Sequence, residues 1–112
     1  MSIKDLWNRY EFEEQVLKSD VPVLVIFYQL ISRDSKDLLA TVEKLGEEYW
    51  DRVHVVRINT DLSDLLNADW DIQNVPAALL FRDGRCVMRW VNEQNPQAYR
   101  DEIENHLAKM WA

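Results

Sequence analysis

The chain has 112 residues, which is room for one compact domain, so residues 1–112 are expected to fold as a single unit. Its 47% hydrophobic and 29% charged residues, with only two glycines, exclude a disordered tail or a repeat array. Twenty acidic against thirteen basic residues give a formal charge of -7, which disfavours nucleic acid as a partner, and the longest apolar stretch, residues 21–31, is too short to span a membrane.

The first part of the chain predicts a short helix followed by a central strand. Asn8 followed by Glu11 is a helix-capping pattern, and it predicts a helix over residues 8–18. The almost unbroken apolar and β-branched run at residues 21–28 is typical of a strand that is covered on both faces. We expect this strand to lie parallel to a neighbour.

The middle of the chain predicts a long helix, a second buried strand and a further short helix. Apolar residues recur at helical spacing from Leu38 to Trp50, and this is the longest predicted helix. Residues 53–58 are typical of a second buried strand, so strand, helix and strand form one right-handed βαβ unit. Asp61 is predicted to cap the short helix. The buried side of that helix is predicted to consist of Leu62, Leu65 and Leu66.

The last third of the chain predicts an antiparallel hairpin and a closing helix. Residues 77–81 and 86–91 flank the turn pair Asp83–Gly84, which is a hairpin signal. The pair Asn95–Pro96 is typical of the start of a helix. The buried stripe of this helix is predicted to consist of Tyr99, Ile103, Leu107 and Met110. These elements predict an α/β fold in which a mixed central sheet lies between helices, with a βαβ–ββα core.

Five features of the chain occur together in one known family. They are the apolar strand at residues 23–28, Lys36 just inside the long helix, residues 57–61, the pair Val75–Pro76, and residues 79–84. In this order and spacing they resemble the thioredoxin family over about residues 12–107. The resemblance implies a thioredoxin-like three-layer sandwich, with its working surface at the loop between the central strand and the long helix.

The cysteine pair of that family is missing from this chain. The family carries Cys-x-x-Cys at the start of the long helix, where the helix dipole stabilises a thiolate. The matching positions here are Ser32 and Ser35, with Arg33 and Asp34 between them. Because a serine hydroxyl cannot form a disulfide, dithiol exchange by this loop is excluded, and no catalytic residue is assigned.

Two further departures from the family weaken redox chemistry in the same way. Ile26 stands where the family has a buried acid that helps to move protons, and Ile31 stands where it has a tryptophan. The simplest role for the loop residues Ser32 and Asp34 is to cap the long helix.

A binding surface is the part of the family's site that the resemblance preserves. Pro76 resembles the cis-proline beside the active loop, and the resemblance implies that the backbone of Val75 pairs with an extended partner chain like an added strand. The alternative is that Pro76 only sets a turn before the hairpin. The residues that the family fold would gather around Pro76 are Tyr28, Ile31, Arg33, Asn74, Val75 and Asn92. Asn92 replaces a glycine, so the groove is expected to be bulkier.

The other chemically distinctive residues are interpreted as structural. Cys86, the single cysteine, is expected to be a small core residue, and His54 and His106 to be ordinary structural or surface residues. The histidines lack partners at metal-ligand spacing, so no metal and no cofactor are predicted. Five tryptophans exceed ordinary core needs, and Trp70 and Trp90 are the first candidates for an exposed contact residue.

The functional hypothesis favoured by these observations is a redox-inactive thioredoxin-like protein that binds another protein, as an assembly factor, a chaperone-like module or a subunit. The alternative is a thiol-disulfide oxidoreductase that uses Cys86, alone or with a thiol from glutathione or a partner. A third possibility is a homodimer whose interface is the face that carries the active loop in the thioredoxin family. The chain is therefore expected to be a monomer or a weak homodimer. No apolar stretch follows Lys4 and Asp5, so we expect no export signal and a cytoplasmic location.

Overall fold

The computed structural model describes residues 3–110, which form a five-stranded mixed sheet with helices on both faces. The elements in chain order are β1 (Lys4–Asp5), α1 (Arg9–Phe12) with a π-helical continuation (Glu13–Leu17), β2 (Val23–Tyr28), α2 (Arg33–Glu48), β3 (His54–Asn59), a 3-10 turn (Thr60–Leu62), α3 (Asp64–Asp69), β4 (Ala77–Arg82), β5 (Arg85–Val91) and α4 (Pro96–Met110). Within the described residues, no helix is both long and apolar enough to cross a membrane.

The sheet has the strand order β1-β3-β2-β4-β5. Strands β1 and β2 run parallel to β3, whereas β4 runs antiparallel to both β2 and β5. This topology confirms the predicted α/β sandwich with its parallel βαβ unit and its hairpin. It also brings the end of β2, the start of β4 and the end of β5 together at one end of the strands, because Phe27 is opposite Ala77 and Ala77 is opposite Val91.

Two apolar clusters, one on each face of the sheet, form the core. Strand β2 contributes to both, because every residue from Val23 to Tyr28 is buried and successive side chains point to opposite faces. On one face Leu24 and Ile26 pack against α2 and α4, and on the other Val25 and Phe27 pack against α1 and α3. The continuous apolar run was therefore a correct signal for a central strand.

The N-terminal region differs in detail from the prediction. The cap is as predicted, because Asn8 Oδ1 accepts a hydrogen bond from Glu11 N at 2.8 Å. Strand β1 was not predicted, since two polar residues carry no strand pattern. Its position is fixed by distant contacts: Asp5 accepts hydrogen bonds from the Tyr28 hydroxyl at 2.8 Å and from Arg57 Nε at 3.0 Å.

The predicted short helix after β3 is only partly correct. Asp61 is not the cap; instead Asn59 Oδ1 accepts a hydrogen bond from Asp61 N at 3.0 Å, and the chain makes a 3-10 turn before α3 begins at Asp64. Only Leu66 of the predicted apolar side is buried, whereas Leu62 and Leu65 are exposed. In this helix the side that faces the core therefore includes Leu66 and not Leu65.

The two tryptophans first suspected of being exposed are packed instead. Trp70 is half-buried, and its ring lies 5.4 Å from that of Phe12 and 4.9 Å from that of Phe81. Trp90 is buried, with its ring 4.6 Å from that of Tyr99. Edge and tilted contacts between aromatic rings are favourable, so both tryptophans serve the core.

The exposed tryptophans lie elsewhere in the fold. Trp7 precedes α1 and Trp50 follows α2, and both expose more than half of their surface. Trp111 lies outside the described residues. Sequence position gave no reason to prefer Trp7 or Trp50, because both adjoin helix ends where exposure depends on tertiary packing.

His106 is a buried histidine on α4 with an incomplete set of partners. Its Nδ1 has no hydrogen-bond partner within the described structure, and its Nε2 lies 3.7 Å from Glu102 Oε2. Burial is the main cause that lowers the pKa of His106 from its ordinary value of 6.5, and the charges of Arg82 and Lys109 lower it further. Glu102 opposes this shift but does not cancel it.

A His106→Gln variant is expected to lose part of the acid sensitivity of the fold. Because the folded-state pKa is lowered, the unfolded chain takes up the proton first, so stability is intact above pH 6.5 and falls as the pH drops below it. The glutamine variant should flatten this dependence by at most about 1.4 kcal/mol per pH unit. Urea unfolding from pH 7 to pH 5 would measure it, with exposed His54→Gln as the control, and an unchanged slope in His106→Gln would contradict the assignment.

Candidate functional site

Ser32 begins the long helix α2 as its N-cap. Its backbone is extended, and its Oγ accepts a hydrogen bond from Ser35 N at 3.1 Å. This is the capping role predicted for it, since the hydroxyl satisfies one of the free amide groups at the helix start. Asp34 is not a cap; it lies in the first turn, where a carboxylate interacts favourably with the positive end of the helix dipole.

Ser35 has a different structural role in the same loop. It is fully buried, and its Oγ accepts a hydrogen bond from Gln29 N at 3.1 Å. The two hydroxyls therefore hold the loop between β2 and α2 in shape. His54 of β3 cannot act as a base for either serine, because it pairs with Val23 at the start of β2, whereas the serines follow the end of β2. A serine nucleophile is not supported by this geometry.

A polar bridge crosses this edge of the sheet beside Ser32. Asn92 Nδ2 donates to Asp34 Oδ2 at 3.1 Å, and Gln94 Nε2 donates to Asn92 Oδ1 at 2.9 Å and to the Asp34 carbonyl at 3.0 Å. The backbone N–H of Asn92 also donates to the backbone carbonyl of Pro76 at 2.8 Å. Together these bonds tie the start of α2, the segment before β4 and the loop after β5 into one surface.

Asn92 adopts a backbone conformation that normally favours glycine. Its φ is 50°, in the left-handed region, which asparagine tolerates better than most residues. Asn92 therefore combines a left-handed backbone with a side chain at the position where the family resemblance places a glycine. That side chain lies against the start of α2, because its Nδ2 donates to Asp34 Oδ2 at 3.1 Å. The bulkier groove stays a prediction.

Val75, in the segment Asn74–Pro76, lines a shallow cleft. The Val75–Pro76 peptide bond is cis, as the family resemblance implied. Asn74 is exposed, Val75 is half-buried and Pro76 is buried. The cleft has a volume of about 210 Å³ and is lined by Gln29, Thr60, Asn67, Ile72, Gln73 and Val75. Within residues 3–110, no hydrogen bond engages the backbone amide or carbonyl of Val75.

Three exposed apolar side chains lie at the same end of the sheet as this segment. Ile31 is 88% exposed and Leu30 is 59% exposed, because a turn closed by Ser32 N and the Gln29 carbonyl carries them away from the core. Val91, next to Asn92, is 57% exposed. Sequence reasoning singled out Ile31 but missed Leu30 and Val91. Their position beside the end of a strand was the available signal.

Tyr28 does not belong to this surface, contrary to the prediction. It is buried, its hydroxyl donates to Asp5 Oδ1 at 2.8 Å, and the Arg57 guanidinium lies 5.1 Å from the centre of its ring. Burial, aided by the hydrogen bond to Asp5, raises the pKa of Tyr28 to about 12. Side chains two residues apart in a strand share a face, so Tyr28 lies in the same apolar cluster as Leu24 and Ile26.

We call the remaining surface residues the Pro76 surface. It consists of Leu30, Ile31, Arg33, Asp34, Asn74, Val75, Pro76, Val91 and Asn92. Its ends are joined by the hydrogen bonds of Asn92 to Asp34 and Pro76. The surface combines apolar side chains, the unpaired backbone of Val75 and a few charges, which are groups that occur in polypeptide-binding surfaces.

Cys86 is exposed, so its prediction as a core residue is wrong. It lies on β5 opposite Phe81, and Phe81 is opposite Val23, so the thiol is at the far end of the sheet from Ser32. Strand β5 is an edge strand. Its pairing with β4 shifts register between Leu80 and Phe81 of β4, and such a shift changes which side chains of β5 face the core.

The thiol of Cys86 is not activated. Partial desolvation raises its pKa, and the opposing charge of Arg89 does not cancel the effect. Its Sγ lies 3.6 Å from the Met88 carbonyl oxygen, to which the S–H group donates. Since the thiolate is the reactive form, this environment disfavours nucleophilic attack.

Comparison with known proteins matches almost the whole chain. The family model described as Thioredoxin matches residues 5–109. Thioredoxin 1 of Synechococcus elongatus is 28% identical over 107 residues, which cover 96% of this chain and 100% of that protein. Thioredoxin of Rickettsia bellii is 33% identical over 96 residues, which cover 86% of this chain and 91% of that protein.

Solved structures agree on the fold. The oxidized form of mitochondrial thioredoxin 3 from Saccharomyces cerevisiae superposes with a TM-score of 0.82 and 23% sequence identity, over 92% of this chain and 94% of the other. The similarity thus extends to the order and packing of all the main elements.

Proposed function

Because this chain belongs to the thioredoxin family and has serine at both cysteine positions of the family's motif, we propose that it is a redox-inactive member that binds another protein through the Pro76 surface. The observation that carries the proposal is that the hydroxyls of Ser32 and Ser35 both form structural hydrogen bonds. One caps α2 and the other accepts a hydrogen bond from the preceding loop, so the binding loop is preserved without its chemistry.

The proposed partner segment is an extended polypeptide that pairs with the backbone of Val75. The amide and carbonyl of Val75 are unengaged within the described chain, and each would gain a hydrogen bond from an added strand. Exposed Ile31 and Leu30, in the loop before α2, and Val91, at the end of β5, would cover apolar side chains of that segment. Burial of such residues supplies most of the binding free energy at an interface.

The polar bridge adds a constraint on what the Pro76 surface accepts. Asn92 and Gln94 occupy space in front of Asp34, so a bulky side chain of the partner has little room there. A partner that fits would carry a small residue opposite Asn92. This feature distinguishes the proposed partner from a general substrate of disulfide reduction.

The alternative function, a thiol enzyme that uses Cys86, has weaker support. Its thiol is exposed, which such an enzyme requires, but its pKa is raised and it lies away from the N-terminus of α2. Alkylation that is no faster in the native protein than in a short unstructured peptide would exclude it.

Partner capture should depend on the Pro76 surface. We expect Ile31→Ser and Val75→Asp each to reduce the recovery of a specific partner from the source cell by about tenfold or more, because truncating a central interface residue commonly costs that much. Quantitative mass spectrometry of the captured proteins, followed by a dissociation constant for the purified partner, would measure it.

Trp50→Ser is the matched control for these variants. Trp50 is an exposed apolar residue just past the end of α2, about 24 Å along that helix from its start at Arg33. It should leave the partner bound. Equal recovery with Ile31→Ser, Val75→Asp and the unchanged chain would contradict the proposal.

A further inference from the structure

A second exposed apolar surface lies beside α3, and it adjoins the loop of the Pro76 surface because Gln29 Nε2 donates to Asp61 Oδ1 at 3.2 Å. Trp7 is 51% exposed, Leu62 is 65% exposed and Leu65 is 61% exposed. These side chains, together with Asp61 and Asp64, line a cleft of about 310 Å³. We call these five residues the α3 surface. Three large apolar side chains around one cleft are unusual on a surface that has no partner.

The walls of this cleft are held in place by the fold itself. The Trp7 amide donates to Glu11 Oε1 at 2.9 Å, in the capping region of α1. Arg9 donates to both oxygens of Asp69, at 2.7 Å and 2.6 Å, and so ties α1 to α3. Because the backbone segments that carry these side chains are positioned before binding, a ligand does not have to order those segments.

The charge around the cleft is negative. Asp61 and Asp64 are exposed at its edge, and neither forms an ion pair with a described residue. The nearby cation, Arg9, is already engaged by Asp69. A ligand with apolar groups alone would leave both carboxylates without a counter-charge, whereas a cationic ligand would pair with them.

We propose that the α3 surface binds a segment of a partner protein in which aliphatic side chains are flanked by lysine or arginine. The aliphatic groups enter the cleft between Trp7 and Leu65, and the cations pair with Asp61 and Asp64. Nucleic acid and anionic lipid are repelled by the same two carboxylates. A symmetric dimer through this surface would bring the carboxylates of the two copies together.

The proposal for this second surface does not rest on the proposed function. It shares no residue with the Pro76 surface, and its apolar residues come from the segment before α1 and from the 3-10 turn and α3. Variants of Leu65 and of Ile31 therefore test the two proposals separately, because each changes an exposed side chain on only one of the surfaces.

The test uses a short labelled peptide of leucine and lysine with its leucines at helical spacing. Two companion peptides replace the lysines by glutamate or the leucines by serine. Fluorescence anisotropy should give binding of the first peptide alone, weakened about tenfold by Leu65→Ser and about fivefold by Asp64→Asn. Ile31→Ser should bind the peptide as the unchanged chain does.

Nuclear magnetic resonance provides the location of binding. The indole N–H signal of Trp7, assigned with a Trp7→Phe variant, should shift on addition of the peptide. An unshifted Trp7 signal, unchanged affinity in Leu65→Ser, or equal binding of the serine peptide would overturn the proposal. So would sedimentation that shows a dimer of the unchanged chain which Leu65→Ser dissociates, because the occupant would then be a second copy.

Discussion

Insulin disulfides are expected to stay intact when the unchanged chain is incubated with insulin and dithiothreitol, beyond the slow reaction of dithiothreitol alone. A Ser32→Cys, Ser35→Cys double variant is expected to accelerate their reduction clearly. The physical reason is that reduction of a disulfide needs two sulfurs that can exchange and then pair, and the chain has one cysteine, with a raised pKa. The turbidity of reduced insulin measures the rate.

The loop geometry supports the gain in the double variant. Ser32 Oγ lies 3.1 Å from Ser35 N, so side chains at these two positions are close to each other. Ser32 is half-buried and Ser35 is fully buried. A sulfur at position 32 would therefore meet the substrate, whereas a sulfur at position 35 would be reached only by the sulfur at position 32.

The double variant should still reduce insulin about 100-fold more slowly than a thioredoxin that has both the Cys-x-x-Cys motif and the buried acid. Ile26 supplies no proton transfer, a contribution that is worth about two orders of magnitude in many enzymes. The side chain of Asn92, held against Asp34, also crowds the approach to position 32.

Single variants are the controls for this gain of activity. In the absence of dithiothreitol, Ser32→Cys should form a mixed disulfide with the substrate and stop there, since the loop has no second sulfur to release it. Cys86→Ser should change nothing in the unchanged chain or in the double variant. If the unchanged chain reduced insulin and Cys86→Ser abolished that activity, the proposal of a redox-inactive protein would be wrong.

The central part of the fold was predictable because its pattern is local. Residues of β2 are apolar on both faces, and those of α2 repeat at helical spacing, so burial and secondary structure are specified together. The Asp83–Gly84 turn has positive φ at both residues, 53° and 76°, which fixes the hairpin through two adjacent residues. Signals of this kind need no knowledge of the rest of the chain.

The mistaken assignments involve residues whose environment is set by distant parts of the chain. Strand β1 exists because its two residues pair with Val56 and Arg57 of β3. Cys86 is exposed on an edge strand next to an irregular register in the hairpin, and Leu65 is exposed on a helix that begins after a 3-10 turn. Composition and spacing carry no information about these contacts.

The candidate site shows the same division. The positions of Ser32 and Ser35 follow from the family resemblance together with a local capping pattern. The bond between Asn92 and Asp34 joins residues 58 positions apart, and no local pattern specifies it. The exposure of Leu30 was missed because its apolar neighbours continue the pattern of the strand, although the chain turns after Tyr28.

An Ile26→Asp variant is expected to lose more than about 3 kcal/mol of unfolding free energy at pH 7. Ile26 is fully buried in the centre of β2 and packs in the cluster formed with α2 and α4. A carboxylate there would be desolvated. The cation next to it in the register, Arg57, is already bound by Asp5 at 3.0 Å and 3.1 Å, so it is not free to compensate.

The dependence on pH separates this electrostatic cost from the loss of packing. Burial should raise the pKa of the new carboxyl group, so the variant keeps more of its stability at low pH and loses it as the pH rises through the raised pKa. Ile26→Val, which removes one methyl group, should cost only about 1 kcal/mol at every pH. Urea unfolding of both variants at pH 4 and pH 7 measures the difference. An aspartate variant as stable as the valine variant at pH 7 would mean that water or Arg57 reaches position 26, and that the isoleucine has not closed this part of the core to charge.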